Sequence, residues 1–384
     1  MNYARMSRMQ EQLDTMMYAI EAEIPWLIPI GFALFGACVG SFLNVVIYRL
    51  PLGLSINEPR RSYCPHCKKS IPWYLNIPLI SWLMLRGRSA CCNSPISIRY
   101  WLVELVCTLF FLGTGVLWGQ HAGLGLPAMV FICIWGACML ATLCIDWERM
   151  EVLPSLTLIA AATGIAAVVC EPHLLNGGSN GTEALLSALL NAILAFVLLK
   201  AVALFGKLLF GKKRVVYKQQ QHWTLRQEGD DLQLSIGSDQ YAWSELFMEA
   251  GNRLALEQAT ELGHTNQATG TIKFSIEHII LPDGTTEALE NHEKLEGTCH
   301  SMEVQREAMG SGDAWIALAI GALCGWEGVL FALVVGSILG IIWAIISRIG
   351  RGEPMPFGPV FITAAWIYLF CGQHIMEKSS LFAI

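Results

Sequence analysis

Residues 310–346 read GSGDAWIALAIGALCGWEGVLFALVVGSILGIIWAII. As one helix, Ala314 to Ile346 would run about 50 Å at 1.5 Å per residue. The hydrocarbon core of a bilayer is only ~30 Å thick and takes about 20 apolar residues to cross. Gly325, Trp326, Glu327 and Gly328 therefore divide the run into a short span and a full one. Working outward, further apolar windows lie near 25–48, 101–119, 126–145, 152–170, 184–206 and 356–376. The expectation is an all-α polytopic membrane protein with about eight transmembrane helices. Composition agrees: 54% of the 384 residues are hydrophobic and 15% charged, against roughly 25% charged in soluble proteins.

Lys and Arg positions set the orientation. Basic residues cluster in 49–99, at Arg149, at Lys212, Lys213 and Arg214, and at Arg348 and Arg351, while the stretches 120–125, 171–183 and 325–328 have none. One side, the cytoplasmic one, receives every cluster if the N-terminus lies outside. The tail 1–24 carries Glu11, Asp14, Glu21 and Glu23 against Arg5 and Arg8. That is the wrong sign for a cleaved signal, so the first window is expected to stay as a helix.

The chain divides into the tail 1–24, a first helix 25–50, a cysteine-containing cytoplasmic loop 51–99, four helices in 100–210, an insertion 211–309, and the last helices in 310–377. Between His222 and Gln305 there are 15 Asp and Glu against 4 Lys and Arg, whereas the remainder has 16 acidic and 21 basic residues. Asp231–Ile236 and Thr271–Glu277 alternate as strands do, and Pro282-Asp-Gly284 is a turn signal. A small, mainly β cytoplasmic domain on flexible flanks is expected. Its five histidines, His222, His264, His278, His292 and His300, lack ligand spacing and read as surface or packing residues.

Most of the 13 cysteines sit inside apolar windows as small packing residues. Cys64, Cys67, Cys91 and Cys92 instead cluster in the first loop, where a reducing compartment favours metal over disulfide. Ionisable residues in membrane spans are costly and mark function. Asp146 closes the third helix and Asp313 opens the sixth, both on the cytoplasmic boundary. Either aspartate alone could merely flank its helix. Together they suit peptide hydrolysis: two close carboxyls share one proton, the ionised member takes a proton from water, and the protonated member polarises the scissile carbonyl. Gly310 and Gly312 permit close approach of backbone or substrate beside Asp313.

Several ordered motifs extend this pattern: Gly40-Ser-Phe-Leu-Asn-Val-Val-Ile-Tyr-Arg-Leu-Pro51, Cys64-Pro-His-Cys67, Ile71-Pro-Trp-Tyr-Leu-Asn-Ile-Pro-Leu-Ile-Ser-Trp82, Leu85-Arg-Gly-Arg88, Pro95-Ile-Ser-Ile-Arg-Tyr100, Leu102-Val-Glu104, Ile145-Asp146 with Leu153-Pro154, Arg306 to Asp313, and Pro356-Phe-Gly-Pro359. In these the chain resembles the type IV prepilin peptidases, bacterial inner-membrane proteases of the Gly-x-Gly-Asp aspartyl class. The resemblance implies cleavage of the basic leader of prepilins or pseudopilins by Asp146 and Asp313. It also implies methylation of the new N-terminus with S-adenosylmethionine as donor. The partners implied are those substrates and the lipid bilayer, with no nucleic acid.

The chain departs from the family at several points. Ser89 stands where a third knuckle cysteine is usual; Cys64, Cys67, Cys91 and Cys92 could supply four donors to a zinc ion, with His66 a similarly cramped substitute, and a hydrogen-bonded or vestigial knuckle is the alternative. Trp315 replaces a common Lys, and Ser155 follows Pro154 where an acidic residue or Asn is usual. Asn76, Arg99 and Glu104 match the family loop, and read equally well as a helix-end ion pair and turn bonds. Two other readings remain: an intramembrane aspartyl protease with different membrane substrates, and a non-catalytic membrane assembly or zinc-binding protein.

Overall fold

The computed structural model describes residues 15, 23–58, 63–64, 66–120, 125–175, 180–210, 212–228, 231–247, 253–261, 270–276, 278–289, 292, 294–305, 310, 312–348 and 355–378. Most of the tail 1–24, the flank residues 211, 306–309 and 311, and His264 lie outside them. The chain forms two compact units: Met1–Leu198 with Gly312–Ile384, and Leu199–Ser311.

The first unit is a helix bundle, and all eight apolar windows are helical. In order, the described helices of the chain are α1 (Leu27–Arg49), the short α2 (Ile80–Met84), α3 (Ile98–Gln120), α4 (Leu126–Arg149), α5 (Pro154–Cys170), α6 (Gly181–Phe210, which runs on into the second unit), α7 (Trp243–Leu246, within the second unit), α8 (Gly312–Ile346) and α9 (Gly358–Lys378). Five are long and apolar enough to cross a membrane: Leu27–Leu52, Ile98–Val116, Leu126–Arg149, Gly181–Leu208 and Gly312–Ile346. Pro154–Cys170 and Gly358–Gly372 are shorter apolar helices. The architecture is that of a polytopic α-helical membrane protein with a mainly β insertion.

Close backbone approach binds this bundle. A Cβ on Gly40 of α1 would lie 2.8 Å from Glu104 Cα, and one on Gly36 would lie 2.7 Å from Phe111 Cβ, so α1 and α3 meet over bare glycine surface. Asn44 Nδ2 crosses the same seam to donate to Tyr100 O at 3.1 Å. At the centre, the buried Trp135 of α4 donates from Nε1 to Ala319 O at 2.9 Å.

The α8 run breaks at Gly325, whose φ of 66° and ψ of −174° lie outside any helix. A side chain there would be strained, which is why glycine occupies it. Ile316 before the break and Gly340 after it both lie beside the start of α9, against Gly358 and Val360 respectively. The two segments therefore run in opposite directions. The division expected at 325–328 is present as a reversal.

The second unit is one antiparallel sheet of eight strands in the order β3-β2-β1-β8-β4-β5-β6-β7. The strands are β1 (Lys212–Glu228), β2 (Asp231–Ile236), β3 (Asp239–Ala242), β4 (Arg253–Glu261), β5 (Gly270–Phe274), β6 (His278–Ile280), β7 (Thr286–Ala288) and β8 (Lys294–Gln305). β1 pairs with both β2 and β8, its β8 register slipping between Val216 and Gln221. Such a bulge bends and twists a strand. Trp223, Leu234, Ile236, Leu254, Leu256, Ile272 and Phe274 build the core of this unit. The expected turn joins β6 to β7, with Gly284 at φ 89°. Among the histidines, His292 Nε2 meets Glu287 Oε2 at 2.8 Å.

Candidate active site and cysteine loop

α4 ends one turn after Asp146. Met150 takes a left-handed conformation (φ 54°) and its N–H caps Asp146 O at 2.8 Å. The chain then passes through Val152 and re-enters helix at Pro154, a residue suited to a first turn because its missing N–H is not needed there. Asp146 is 6% exposed and Asp313, in the first turn of α8, is 9% exposed. Buried carboxyls in an apolar bundle are rare without a task.

Two glycine contacts bring the neighbourhoods of these aspartates together. Gly312, adjacent to Asp313, lies so close to Val152 that a Cβ on it would sit 2.7 Å from the valine Cβ. Gly358, at the start of α9, abuts Asp146 Oδ2 on one side and Ile316, one turn past Asp313, on the other. The ends of α4, α8 and α9 thus converge. Gly310 belongs to the insertion unit and Ser311 is outside the described residues, so Gly312 is the motif glycine with a visible packing role. Trp315, in place of the usual Lys, turns its ring edge-on to Phe196 of α6 at 4.9 Å between centroids.

The loop residues settle mainly into structural tasks. Arg99 Nη1 contacts Glu148 Oε1 and Oε2 at 2.5 and 2.6 Å, tying the start of α3 to the end of α4. Glu104 Oε2 accepts the Leu79 N–H at 2.7 Å. Leu79 sits at φ 63° and ψ −46°, with Ile80 N–H reaching Pro78 O at 2.7 Å. This is a positive-φ γ-turn, a strained conformation that persists only when its surroundings hold it.

The cysteine loop contains two equivalent turns, one displaced from the other by 25 positions. In the first, Cys64 N–H donates to Lys69 O at 2.9 Å, Lys68 N–H donates to Cys64 O at 2.9 Å, and Tyr63 bridges Ser70. In the second, Ser89 N–H donates to Ser94 O at 2.8 Å, Asn93 N–H donates to Ser89 O at 2.8 Å, and Arg88 bridges Pro95. Lys68 and Asn93 both have positive φ. Ser89 is thus the counterpart of Cys64, and Cys92 the counterpart of Cys67.

Cys91, outside that correspondence, supplies the fourth sulfur. The four Sγ atoms all lie within 4.8 Å of one another, with Cys67–Cys91 at 3.1 Å and Cys64–Cys92 at 3.6 Å. Tetrahedral zinc with Zn–S bonds of ~2.3 Å needs sulfurs about 3.8 Å apart, so the set fits such an ion with small adjustments. Hydrogen bonds from the Cys67 backbone and the Ser89 hydroxyl hold the Cys64 thiol down to about 5, while Cys91 pushes Cys67 up to about 11. A thiolate is the form that binds metal.

Two segments of the chain match known family models. The family model described as the bacterial peptidase A24 N-terminal domain matches residues 34–118, which include the cysteine loop. The type IV leader peptidase family model matches 298–345, which include Asp313. Asp146 falls between the two segments. A prepilin leader peptidase/N-methyltransferase of Myxococcus xanthus is 37% identical over 186 residues, covering 47% of this chain and 51% of that protein. One of Pectobacterium carotovorum is 42% identical over 130 residues, covering 29% and 43%. The chain thus spans about half or less of the length of these relatives. One of Aeromonas hydrophila is 26% identical over 383 residues, covering 92% and 93%. No solved structure gives a significant match. The resemblance to the prepilin leader peptidases holds for both the cysteine loop and the glycine-aspartate motif.

Gly358 lies in the Pro356-Phe-Gly-Pro359 motif, where sequence alone gives it no role. Its signal was a glycine directly before the proline of a helix start, which becomes informative once Asp146 is known to lie against it.

Proposed function

We propose that this chain is a membrane aspartyl endopeptidase that removes the leader of type IV prepilins or pseudopilins, with Asp146 and Asp313 as the catalytic pair. The observation that carries this reading is the convergence of two buried carboxyl-bearing helix ends, which meet the start of α9 at Gly358 and lie beside each other's neighbours through the Val152–Gly312 contact. In this reading the two carboxyls share one proton between them. The ionised member draws a proton from the attacking water and the other polarises the scissile carbonyl. Water then adds to that carbonyl carbon, and the amide nitrogen leaves after receiving the proton.

The reading includes eight spans in the bacterial inner membrane, with the N-terminus outside and the site and both large loops on the cytoplasmic side. It is supported by the distribution of Lys and Arg and by the reversal at Gly325. Cys64, Cys67, Cys91 and Cys92 would hold a structural zinc ion that pins the two turns of the loop. Methylation of the new N-terminus from S-adenosylmethionine is part of the reading because the relatives are N-methyltransferases as well as leader peptidases.

The test is cleavage of a prepilin in membranes by wild type, Asp146→Asn and Asp313→Asn at matched expression. Loss of product in both variants is expected. Cleavage by either variant at the wild-type rate would overturn the assignment.

A further inference from the structure

The start of α9 carries a glycine whose Cα lies directly against Asp146. Gly358 is not among the residues with positive φ, so an alanine there meets no conformational penalty from the left-handed region. It is followed by Pro359, whose ring fixes the first turn. Phe357 before it stacks on the buried Phe361 at 5.5 Å between centroids. The segment is therefore held firmly on both sides of the glycine. What excludes a side chain is space: a Cβ would overlap Asp146 Oδ2 and would lie 2.8 Å from Ile316 Cδ1. The isoleucine contact is with the far end of a flexible side chain and can yield cheaply. The carboxylate can give way only by leaving its seat, because Asp146 is buried in packed surroundings. Asp146 Oδ2 is itself without a hydrogen-bond partner among the described residues, and the Gly358 backbone amide faces the carboxyl.

We infer that Gly358 is a positioning residue for the aspartate pair: its bare Cα seats the Asp146 carboxyl beside the α8 turn that carries Asp313. This rests on the proposed catalytic reading of Asp146 and adds a residue to it. The glycine acts by letting α9 close to van der Waals distance over a carboxyl that any side chain would rotate away.

Two experiments test this on the full chain in detergent. In the first, prepilin cleavage by Gly358→Ala is compared with that by Gly340→Ala, whose added Cβ would meet only Met355 Cε at 3.4 Å and Val360 Cγ2 at 3.7 Å. The expected result is a roughly 100-fold fall in kcat for Gly358→Ala, the scale of a 1 Å misplacement. Its KM should stay within about twofold of wild type, as expected when an interaction acts in the transition state alone. Gly340→Ala should match wild type. A Gly358→Ala enzyme with wild-type kcat overturns the inference, while inactivity of Asp146→Asn would still leave the catalytic reading standing. Conversely, an active Asp146→Asn enzyme removes that reading.

In the second, thermal midpoints are measured in two backgrounds, so that even a poorly folding Gly358→Ala remains informative. Gly358→Ala should lower the midpoint in the wild-type background and change it little in Asp146→Ala, where the opposing carboxyl is gone. Equal loss in both backgrounds would show that the methyl group collides with something else, and would also overturn the inference.

Discussion

The second turn of the cysteine loop makes a sharp prediction about which sulfur replaces the missing one. Ser89 occupies the place equivalent to Cys64, and its Oγ lies 3.6 Å from both Cys64 Sγ and Cys92 Sγ and 2.9 Å from Cys91 Sγ. A cysteine at 89 would therefore sit at ligand distance from the same ion, and Cys91 would become redundant. On the proposed zinc site, Cys91 is needed in the natural chain. Structural zinc contributes about 10–16 kcal/mol in apparent binding energy at neutral pH, so each of four ligands carries about 2.5–4 kcal/mol on average. That converts to roughly 100- to 1000-fold in affinity. Cys91→Ala should lose its zinc to a chelator at concentrations about that much lower than wild type requires. Ser89→Cys combined with Cys91→Ala should recover wild-type retention. The assay is metal content by mass spectrometry after graded chelator dialysis of the purified protein, with Cys38→Ala, a cysteine on the first helix, as control. Undiminished retention in Cys91→Ala would refute the four-sulfur set, and failure of Ser89→Cys to rescue would refute the equivalence of the two turns.

Two further outcomes follow from residues away from the aspartates. Cys299 on β8 is fully buried, and burial pushes its thiol up to about 11 from an ordinary 9.0. A raised folded-state value stabilises fully below the unfolded one and loses that contribution as pH rises through the folded one. Unfolding of the insertion unit in the full chain, followed by tryptophan fluorescence, should therefore show stability falling between about pH 9 and 11, and Cys299→Ala should flatten that fall. An unchanged slope in Cys299→Ala would contradict the assignment. Glu104→Ala leaves the Leu79 N–H without its acceptor and the strained γ-turn without its clamp. Loss of such a bond costs about 1–3 kcal/mol, so limited proteolysis should cut within 71–84 faster than in wild type. An unchanged cutting rate would show that the turn is held by other contacts.

What the sequence revealed and what it concealed follow from the range of the forces involved. Apolar windows are local quantities set by bilayer thickness, and each one is a helix. The strand Asp231–Ile236 has the bounds its alternation suggests. The second strand stops at Phe274 because Ser275 N–H turns back to His278 O at 2.8 Å, making a hairpin that alternation alone does not reveal. β1 was hidden altogether. Lys212 to Gln221 is mostly basic and amide-bearing, without strict alternation, and it becomes a strand through pairing with β8, dozens of residues downstream. The four candidate cysteines were readable from clustering, but the equivalence of Ser89 with Cys64 depends on two bridges that only the folded loop displays. Asp146 and Asp313 stood out as acids at helix ends. The glycine that faces Asp146 had no comparable local mark, since its meaning lies in an atom 212 positions away in the chain.

The reversal at Gly325 links the fold of this stretch to its proposed chemistry. The segment from Gly312 to Cys324 is about 20 Å long at 1.5 Å per residue, well short of the ~30 Å core. A straight continuation would carry the rest of α8 away from Asp313. Instead Gly325 turns the chain, and Gly340 returns to Val360 beside the same α9 start that Ile316 touches through Gly358. The segment is further fixed where Gly321 meets Asn191 O, with an added Cβ only 2.7 Å away, and where Gly164 of α5 meets Leu323 at 3.1 Å. Asp313 therefore stands on a short strut locked at its far end by glycine contacts and enclosed at its near end by α4 and α9. Two carboxyls that must share a proton need a separation held to a fraction of an ångström. A strut fixed at both ends meets that need better than a long helix free to tilt, so the glycines that interrupt the apolar run serve the site as much as the span.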